Sequence, residues 1–278
     1  MMRSITMTEQ KKGRLVCVGT GMRMAGQITP IAQSYIETSD VVVGAASNIF
    51  QRKWLQDIAR EYICLASHYE VVKEEGKNRG NTYRNMTATI MEQVRAGKTV
   101  CAAFYGHPGV FACIANMAIR QARAEGFDVH MEPGISAEDC LVADLGIDPG
   151  ERGAQSMEAT QFMIYQRPID PSGLLILWQP GLAGDLTLKR FDTEPARLQI
   201  LVDKLARHYP LDHEVILYEA ATNPFEKARI DRLALRDLPA APLKQITTLV
   251  IPSAKAFVRD EETIARLSAL SPDNQLAA

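Results

Sequence analysis

Short apolar runs alternate with amphipathic stretches through the first half of the chain. Arg14 to Val18, Val41 to Val43, Tyr62 to Leu65, Thr99 to Phe104 and Asp128 to Met131 read as strands. Between and after them the spacing predicts helices at Pro30 to about Thr38, Ile49 to Ala59, about Asn81 to Arg95, Phe111 to Glu125 and Ser136 to Leu145. Thr29-Pro30 supplies an N-cap followed by proline at the first helical position. Strands separated by helices of this length imply a mainly parallel sheet. Asp148-Pro149-Gly150-Glu151-Arg152-Gly153 breaks the pattern and reads as an inter-domain linker. Beyond it, strand candidates at Gln161 to Gln166, Leu174 to Gln179, Val215 to Glu219 and Thr247 to Pro252 surround a helix at Pro195 to His208. The prediction is therefore an α/β protein of two domains, residues 13–147 with a mainly parallel sheet and 154–254 with a mixed sheet. A tail, 255–278, carries one weak helix.

Several predicted strands end in glycine-containing turns. Gly19-Thr20-Gly21 follows the first, Tyr105-Gly106-His107-Pro108-Gly109 the fourth, Glu132-Pro133-Gly134-Ile135-Ser136 the fifth, and Trp178-Gln179-Pro180-Gly181 a strand of the second half. Glycine lets backbone approach a small molecule closely and proline stiffens the turn. Ligands of open α/β sheets bind beyond the carboxyl ends of strands. Together these turns outline one cleft between two domains. Gly19-Thr20-Gly21 is either a tight turn or part of that pocket, and Ser136 is either a helix N-cap or a site residue. A dinucleotide fingerprint is incomplete, because Met24 stands where its third glycine belongs and no acid closes the second strand. There is no GxxxxGK[ST] phosphate loop.

Composition narrows the class. The 278 residues are 46% apolar and 23% charged, with a formal net charge of -2. That balance gives no electrostatic case for nucleic acid or an anionic membrane. No apolar run approaches the length of a membrane span, and Met1 to Lys12 reads as a polar tail rather than a signal peptide. The 5 cysteines form no CxxC pair and suit neither zinc nor a disulfide framework. A reduced, cytoplasmic setting without a metal is the expectation.

In this order, Val18-Gly19-Thr20-Gly21, the Tyr105 loop, Pro133-Gly134-Ile135-Ser136-Ala137 and Thr247-Thr248-Leu249-Val250-Ile251-Pro252 resemble the tetrapyrrole-methylase-like superfamily of S-adenosylmethionine (SAM) methyltransferases. Most of that superfamily has Gly-Asp-Pro in the loop; here His107 replaces the acid. The Tyr-Gly-His-Pro-Gly-Val-Phe loop resembles one branch, the borosin peptide-backbone N-methyltransferases. So do Glu-Pro-Gly-Ile-Ser-Ala-Glu-Asp-Cys-Leu and Ala-Asp-Leu-Gly-Ile-Asp-Pro-Gly. The resemblance implies a two-domain tetrapyrrole-methylase-like fold. It implies SAM contacts at Tyr105, His107, Val110, Phe111, Ser136, Ala137 and Gln179, and further ones at Ala220, Thr247 and Thr248. These last three are otherwise read as ends of core strands.

A backbone amide nitrogen is a poor nucleophile, because its lone pair is delocalised into the carbonyl. Its methylation needs a base for the N–H proton and a group that stabilises charge on the amide oxygen. The borosin enzymes carry tyrosines and an arginine in the segment corresponding to Tyr69 to Tyr83. The resemblance thus implies Tyr83 as proton acceptor, Arg79 as charge stabiliser, Tyr69 as a peptide-orienting group and Tyr105 bridging SAM and the amide. Arg79 and Tyr83 share a face if the helix begins before Gly80, and an arginine can favour a tyrosinate beside it. The residues alone also fit a solvated helix with two tyrosines packed at its edge.

The borosin proteins of fused type carry their substrate at the carboxyl end. The residues after Pro252 contain no apolar core-peptide stretch, so the expectation is the split type, acting on a separate precursor peptide. The resemblance also implies a homodimer, extending to a heterotetramer with two precursors. Two rivals are a SAM methyltransferase of a tetrapyrrole or other small molecule, and a non-catalytic SAM- or peptide-binding module.

Overall fold

The computed structural model describes residues 12–23, 25–68 and 78–270. Met24, Tyr69 and the chain beyond Leu270 lie outside them. Five strands form the first sheet: β1 (Arg14–Gly19), β2 (Val41–Ala45), β3 (Tyr62–Cys64), β4 (Thr99–Phe104) and β5 (Asp128–Met131). Their order is β3-β2-β4-β1-β5, and every pairing is parallel. The helices of this half are α1 (Pro30–Thr38), α2 (Ile49–Ile58), α3 (Arg79–Arg95), α4 (Cys113–Ala124) and α5 (Ala137–Leu145).

A parallel sheet with helices on both faces requires strands that are apolar at every position. The strands meet that demand by sending alternate residues to opposite cores. Leu15 and Cys17 of β1, Val41 and Val43 of β2, and Val100 and Ala102 of β4 pack with Met86, Ile90 and Val94 of α3 and Ala115 and Ala118 of α4. Val16, Val18, Val42, Cys101 and Ala103 face the other way, onto Ala32 and Ile36 of α1 and Leu55 of α2. Buried in the first of these cores, with Leu15 and the helices α3 and α4, the Cys17 thiol is pushed up to about 12, which suits a small core side chain rather than a nucleophile.

After a helical turn α6 (Pro149–Arg152), the second sheet holds β6 (Ala154–Glu158), β7 (Leu174–Trp178), β8 (Glu214–Glu219), β9 (Arg229–Ala234) and β10 (Thr248–Ile251). The order β6-β7-β10-β8-β9 is mixed: β6 and β7 are parallel, the other pairs antiparallel. One face packs on α7 (Ala159–Ile164) and α8 (Pro195–Leu205) through Phe162, Leu198, Leu201 and Leu205. The other face, with Ile176, Trp178, Ile216 and Val250, packs on Cys140 and Leu141 of α5 and on Met22. The Tyr218 hydroxyl donates to Asp144 Oδ2 at 2.7 Å across the same contact. The second sheet is thus seated on a helix of the first half, and this packing defines the cleft. A last helix, α9 (Glu261–Leu270), has no buried residue, and no described helix is long and apolar enough to cross a membrane.

Two expectations need correction, and one strand is additional. Gln161 to Gln166 is not a strand: Ala159 to Ile164 is helical, begun by the Glu158 carboxylate accepting from Gln161 N at 2.7 Å. Ala159 and Phe162, three apart, put one face into the core, so the apolar spacing there is helical and the strand is the preceding Ala154–Glu158. Asp148 to Gly153 is not wholly irregular, because Asp148 caps a helical turn. Arg229–Ala234 was not foreseen as a strand; Arg229, Asp231 and Arg232 mask its alternation on an edge that charge protects.

Candidate active-site cleft

A cavity of about 360 Å³ opens between the two halves, beyond the carboxyl ends of β1, β2 and β4. Two pinned turns shape its floor. Gly21 and Gly106 exchange backbone hydrogen bonds, 3.3 Å from Gly21 N to Gly106 O and 2.9 Å from Gly106 N to Gly21 O. A Cβ on Gly19 would lie 2.4 Å from Gly106 O and 2.7 Å from Gly134 Cα, so only glycine lets the three turns meet. Gly106 itself has φ +69, open to glycine without strain. Behind them, Thr20 Oγ1 donates to Phe104 O at 3.1 Å and accepts from Gln51 Nε2 at 2.8 Å, which fixes the end of β4. Gly19-Thr20-Gly21 therefore acts as a brace for the ligand loop, while the following Met22 lines the cavity.

The Tyr105 to Phe111 loop forms one wall. Gly109 N donates to His107 Nδ1 at 2.9 Å, so a neutral ring carries its proton on Nε2, where it can serve a ligand as donor. Phe111 sits at φ +51 and Gln179, on the facing wall, at φ +57. The left-handed region disfavours both side chains, and Pro180 restricts Gln179 further. Backbone strain of this kind costs roughly 1–3 kcal/mol per residue and gathers at ligand sites. The Phe111 and Trp178 rings, 5.3 Å apart between centroids, join the two walls.

Arg79 and Tyr83 enter from α3. Asn78 caps that helix by accepting from Gly80 N at 2.8 Å, so the helix starts at Arg79, and Gly80 in its first turn does not disturb it. The two side chains stand one turn apart and both line the cavity, with Tyr83 half-buried against the first core. Arg79 is buried and its Nη2 donates to Asp185 Oδ2 at 3.0 Å. Asp185, in the loop after β7, also accepts from Arg190 N at 3.0 Å, Thr187 N at 3.0 Å and Thr187 Oγ1 at 2.7 Å. Burial works against its ionisation. The Arg190 backbone, both Thr187 donors and the Arg79 guanidinium outweigh it and hold the carboxyl well below the usual range. Tyr105 lines the cavity and is 43% exposed overall. Its hydroxyl nonetheless lies deep among protein atoms; burial, then neighbouring Tyr83, raises its pKa. It is a phenol rather than a phenolate at neutral pH.

The cavity brings together Arg79, Tyr83, Tyr105, His107, Val110, Phe111, Ser136, Ala137 and Gln179. Ser136 has a double place: it lines the cavity, yet its hydroxyl is engaged with Asp139 in a capping box at the start of α5. Ala220, Thr247 and Thr248 are not in its lining. Ala220 packs in the inter-sheet core, Thr248 opens β10, and Thr247 Oγ1 donates to Glu219 Oε1 at 2.7 Å. Their neighbours Gln245 and Ile246 reach the cavity instead, along with Phe191 and Cys113. Asp185 was missed for want of a local signal. Its partner is 106 residues away in sequence, and only the Asp-x-Thr spacing of a side-chain-capped turn marked the loop.

The sequence profile of the Tetrapyrrole (Corrin/Porphyrin) Methylases matches residues 14–236. A protein of Gymnopus fusipes is 38% identical over 277 residues, 96% of this chain and 63% of its own length. It is named a methyltransferase and ribosomally synthesized cyclic peptide gymnopeptides precursor. The omphalotin A methyltransferase and precursor of Omphalotus olearius is 34% identical, over 95% of this chain and 64% of its own. A type I borosin methyltransferase and precursor of Coprinopsis marcescibilis is 38% identical, over 90% and 66%. The chain thus spans a little under two thirds of the length of these relatives. Among solved structures, uroporphyrin-III C-methyltransferase from Thermus thermophilus superposes with a TM-score of 0.59 at 18% identity, covering 87% of this chain and 93% of that one. A structure of the Thermus thermophilus uroporphyrin-III C-methyltransferase complexed with S-adenosylhomocysteine superposes at 0.58 and 15% identity, over 90% and 96%. Those likenesses reach the fold, and with the profile match over most of the sequence they lead to one assignment: the chain belongs to the tetrapyrrole (corrin/porphyrin) methylase family.

Proposed function

We propose that this chain transfers methyl groups from SAM to backbone amide nitrogens of a peptide. The observation that carries the reading is similarity at 34–38% identity, over nearly the whole chain, to proteins named as both methyltransferase and cyclic-peptide precursor. The cleft residues lie inside the matched region. The cavity is of a size to take a ligand such as SAM, since about 360 Å³ falls within the roughly 300–1,000 Å³ of small-molecule sites. The glycine turns admit a ligand to the backbone, and Tyr105, His107, Val110, Phe111, Ala137 and Gln179 would hold it, with Ser136 setting the start of α5.

When bound, SAM supplies an electrophilic methyl on sulfonium. The chain's residues handle the amide. Arg79 places positive charge at the amide oxygen, favouring the imidate form as the nitrogen attacks. Tyr83, as its phenolate, would take the N–H proton, and bound SAM would supply the methyl and keep the bonding pair as a thioether, so that a neutral phenol and an N-methyl amide would remain. Tyr105, protonated, donates a hydrogen bond and does not compete as base. A tetrapyrrole substrate is disfavoured, since the relatives at 34–38% identity are named as cyclic-peptide precursors.

The relatives named above each combine methyltransferase and precursor; we propose that this chain instead acts on a precursor carried by a separate chain, as a homodimer, in the cytoplasm, where the free cysteines would stay reduced. Light scattering with and without precursor reads the assembly. The test of function is incubation with SAM and a synthetic peptide matching the precursor segment of the Gymnopus fusipes relative. The expected result is +14 Da steps that tandem mass spectrometry places on backbone nitrogens, with the enzyme chain's own mass unchanged. Methylation on side chains, or none, overturns the proposal. Steps of +14 Da on the enzyme chain overturn only the separate precursor.

A further inference from the structure

Asp185 fixes how Arg79 stands in the cleft. Arg79 is held at two points by one loop of the second half: its backbone N donates to Leu188 O at 2.7 Å and its Nη2 to Asp185 Oδ2 at 3.0 Å. The carboxylate has no freedom to move away, because Thr187 occupies Oδ1 twice and Arg190 N shares Oδ2. Side-chain exposure is 10% for Arg79 and 1% for Asp185. A guanidinium so buried needs a fixed counter-charge. Arg79 Nε, also buried, has no hydrogen-bond partner among the described residues, so the clasp does not use every donor of a residue that lines the cavity.

We propose that Asp185 is a positioning residue: it anchors the Arg79 guanidinium through Nη2 so that the remaining donors meet the substrate amide oxygen. The proposal rests on the reading of Arg79 as charge stabiliser. It adds that the second half of the chain, through its 185–190 loop, sets the geometry of a group carried by the first. A charge already in place needs no reorganisation as the amide oxygen gains charge. A displacement of about 1 Å at such a group can cost about 100-fold in rate.

The test is a cycle of four proteins, wild type, D185N, R79K and D185N/R79K, assayed with SAM and the synthetic precursor peptide. Asp185→Asn should lower kcat by about 10- to 100-fold with the peptide KM within about twofold of wild type. The double variant should be no more than about twofold slower than Arg79→Lys alone, because both act through one guanidinium. Additive losses, or an unchanged kcat in D185N, overturn the proposal. A readout independent of turnover is the Arg79 Nε–H resonance, assigned by its loss in R79K. It should exchange slowly in wild type and broaden or exchange faster in D185N; an unchanged resonance contradicts the proposal. Should D185N fail to fold, Thr187→Ala takes its place and should lower kcat by about fivefold; wild-type turnover in T187A counts against it. A wild type that methylates no peptide refutes the functional reading, while the resonance still decides on Asp185.

Discussion

Asp185 and Glu219 are both buried carboxylates held by cations, and they differ in what they leave open. Glu219 accepts from Arg229 Nη1 at 2.7 Å, Lys244 Nζ at 2.8 Å and Thr247 Oγ1 at 2.7 Å. Burial opposes its ionisation, but Lys244, Thr247 and Arg229 together keep its pKa below the ordinary value. None of these residues lines the cavity, and Arg229 turns its remaining reach to Asp231 at 2.6 Å. Asp185 is also saturated, yet its cation lies in the cavity wall with a buried nitrogen unpartnered among the described residues. Where the donors close on one another, the cluster ties the ends of strands and joins β8, β9 and the segment before β10. Where one cation keeps capacity beside a cavity, it is disposed to meet a ligand.

Substitutions on the two sides should separate these roles. Tyr83→Phe removes the proposed proton acceptor and should lower the methylation rate by about 100- to 10,000-fold with folding intact. Wild-type turnover would remove Tyr83 from that role. Arg79→Lys keeps the charge but loses the planar fork, and a fall in kcat of about 100-fold is expected, read under saturating peptide. Glu219→Gln is the counter-case: kcat should stay within about twofold of wild type, while chemical denaturation should show a loss of about 1–3 kcal/mol.

The smallest effect is in acid. Both carboxyls have depressed pKa values in the folded chain. Their stabilisation is therefore complete above the unfolded values, about 3.9 for Asp and 4.3 for Glu, and is lost as pH falls below them toward the folded values. Thermal melting followed downward from pH 6 should hold until about pH 4 and then decline, less steeply in E219Q. A decline that sets in between about pH 6 and pH 5 would contradict this assignment.

The first half was legible because its strands are buried on both faces and its turns are marked by glycine. Runs such as Val41 to Val43 and Thr99 to Phe104 leave little room for another reading, and the three glycine turns that meet at Gly19, Gly106 and Gly134 each stand out in the sequence. The second half was less so. Arg229–Ala234 is a strand only because β8 pairs with it, and Phe162 gives a strand-like run one buried side chain that a helix uses as well. On the candidate site, the resemblance and the one-turn spacing already place Arg79 and Tyr83 together, and both line the cavity. Asp185 was not, because its value arises from a contact between halves of the chain that no local pattern encodes. Thr247 shows the reverse: a strand-end hydroxyl suited to a ligand is taken by Glu219.

The central claim is that the Arg79 guanidinium, braced by Asp185, meets the amide that is methylated. It is tested most directly by a crystal structure of the protein with S-adenosylhomocysteine and the synthetic precursor peptide. The account predicts a backbone carbonyl oxygen of the peptide within about 3 Å of an Arg79 guanidinium nitrogen, with the neighbouring amide nitrogen facing the sulfur and Tyr83 in hydrogen-bond reach of it. A peptide bound with its amide turned away from Arg79, or the Arg79–Asp185 contact broken in the complex, would contradict it.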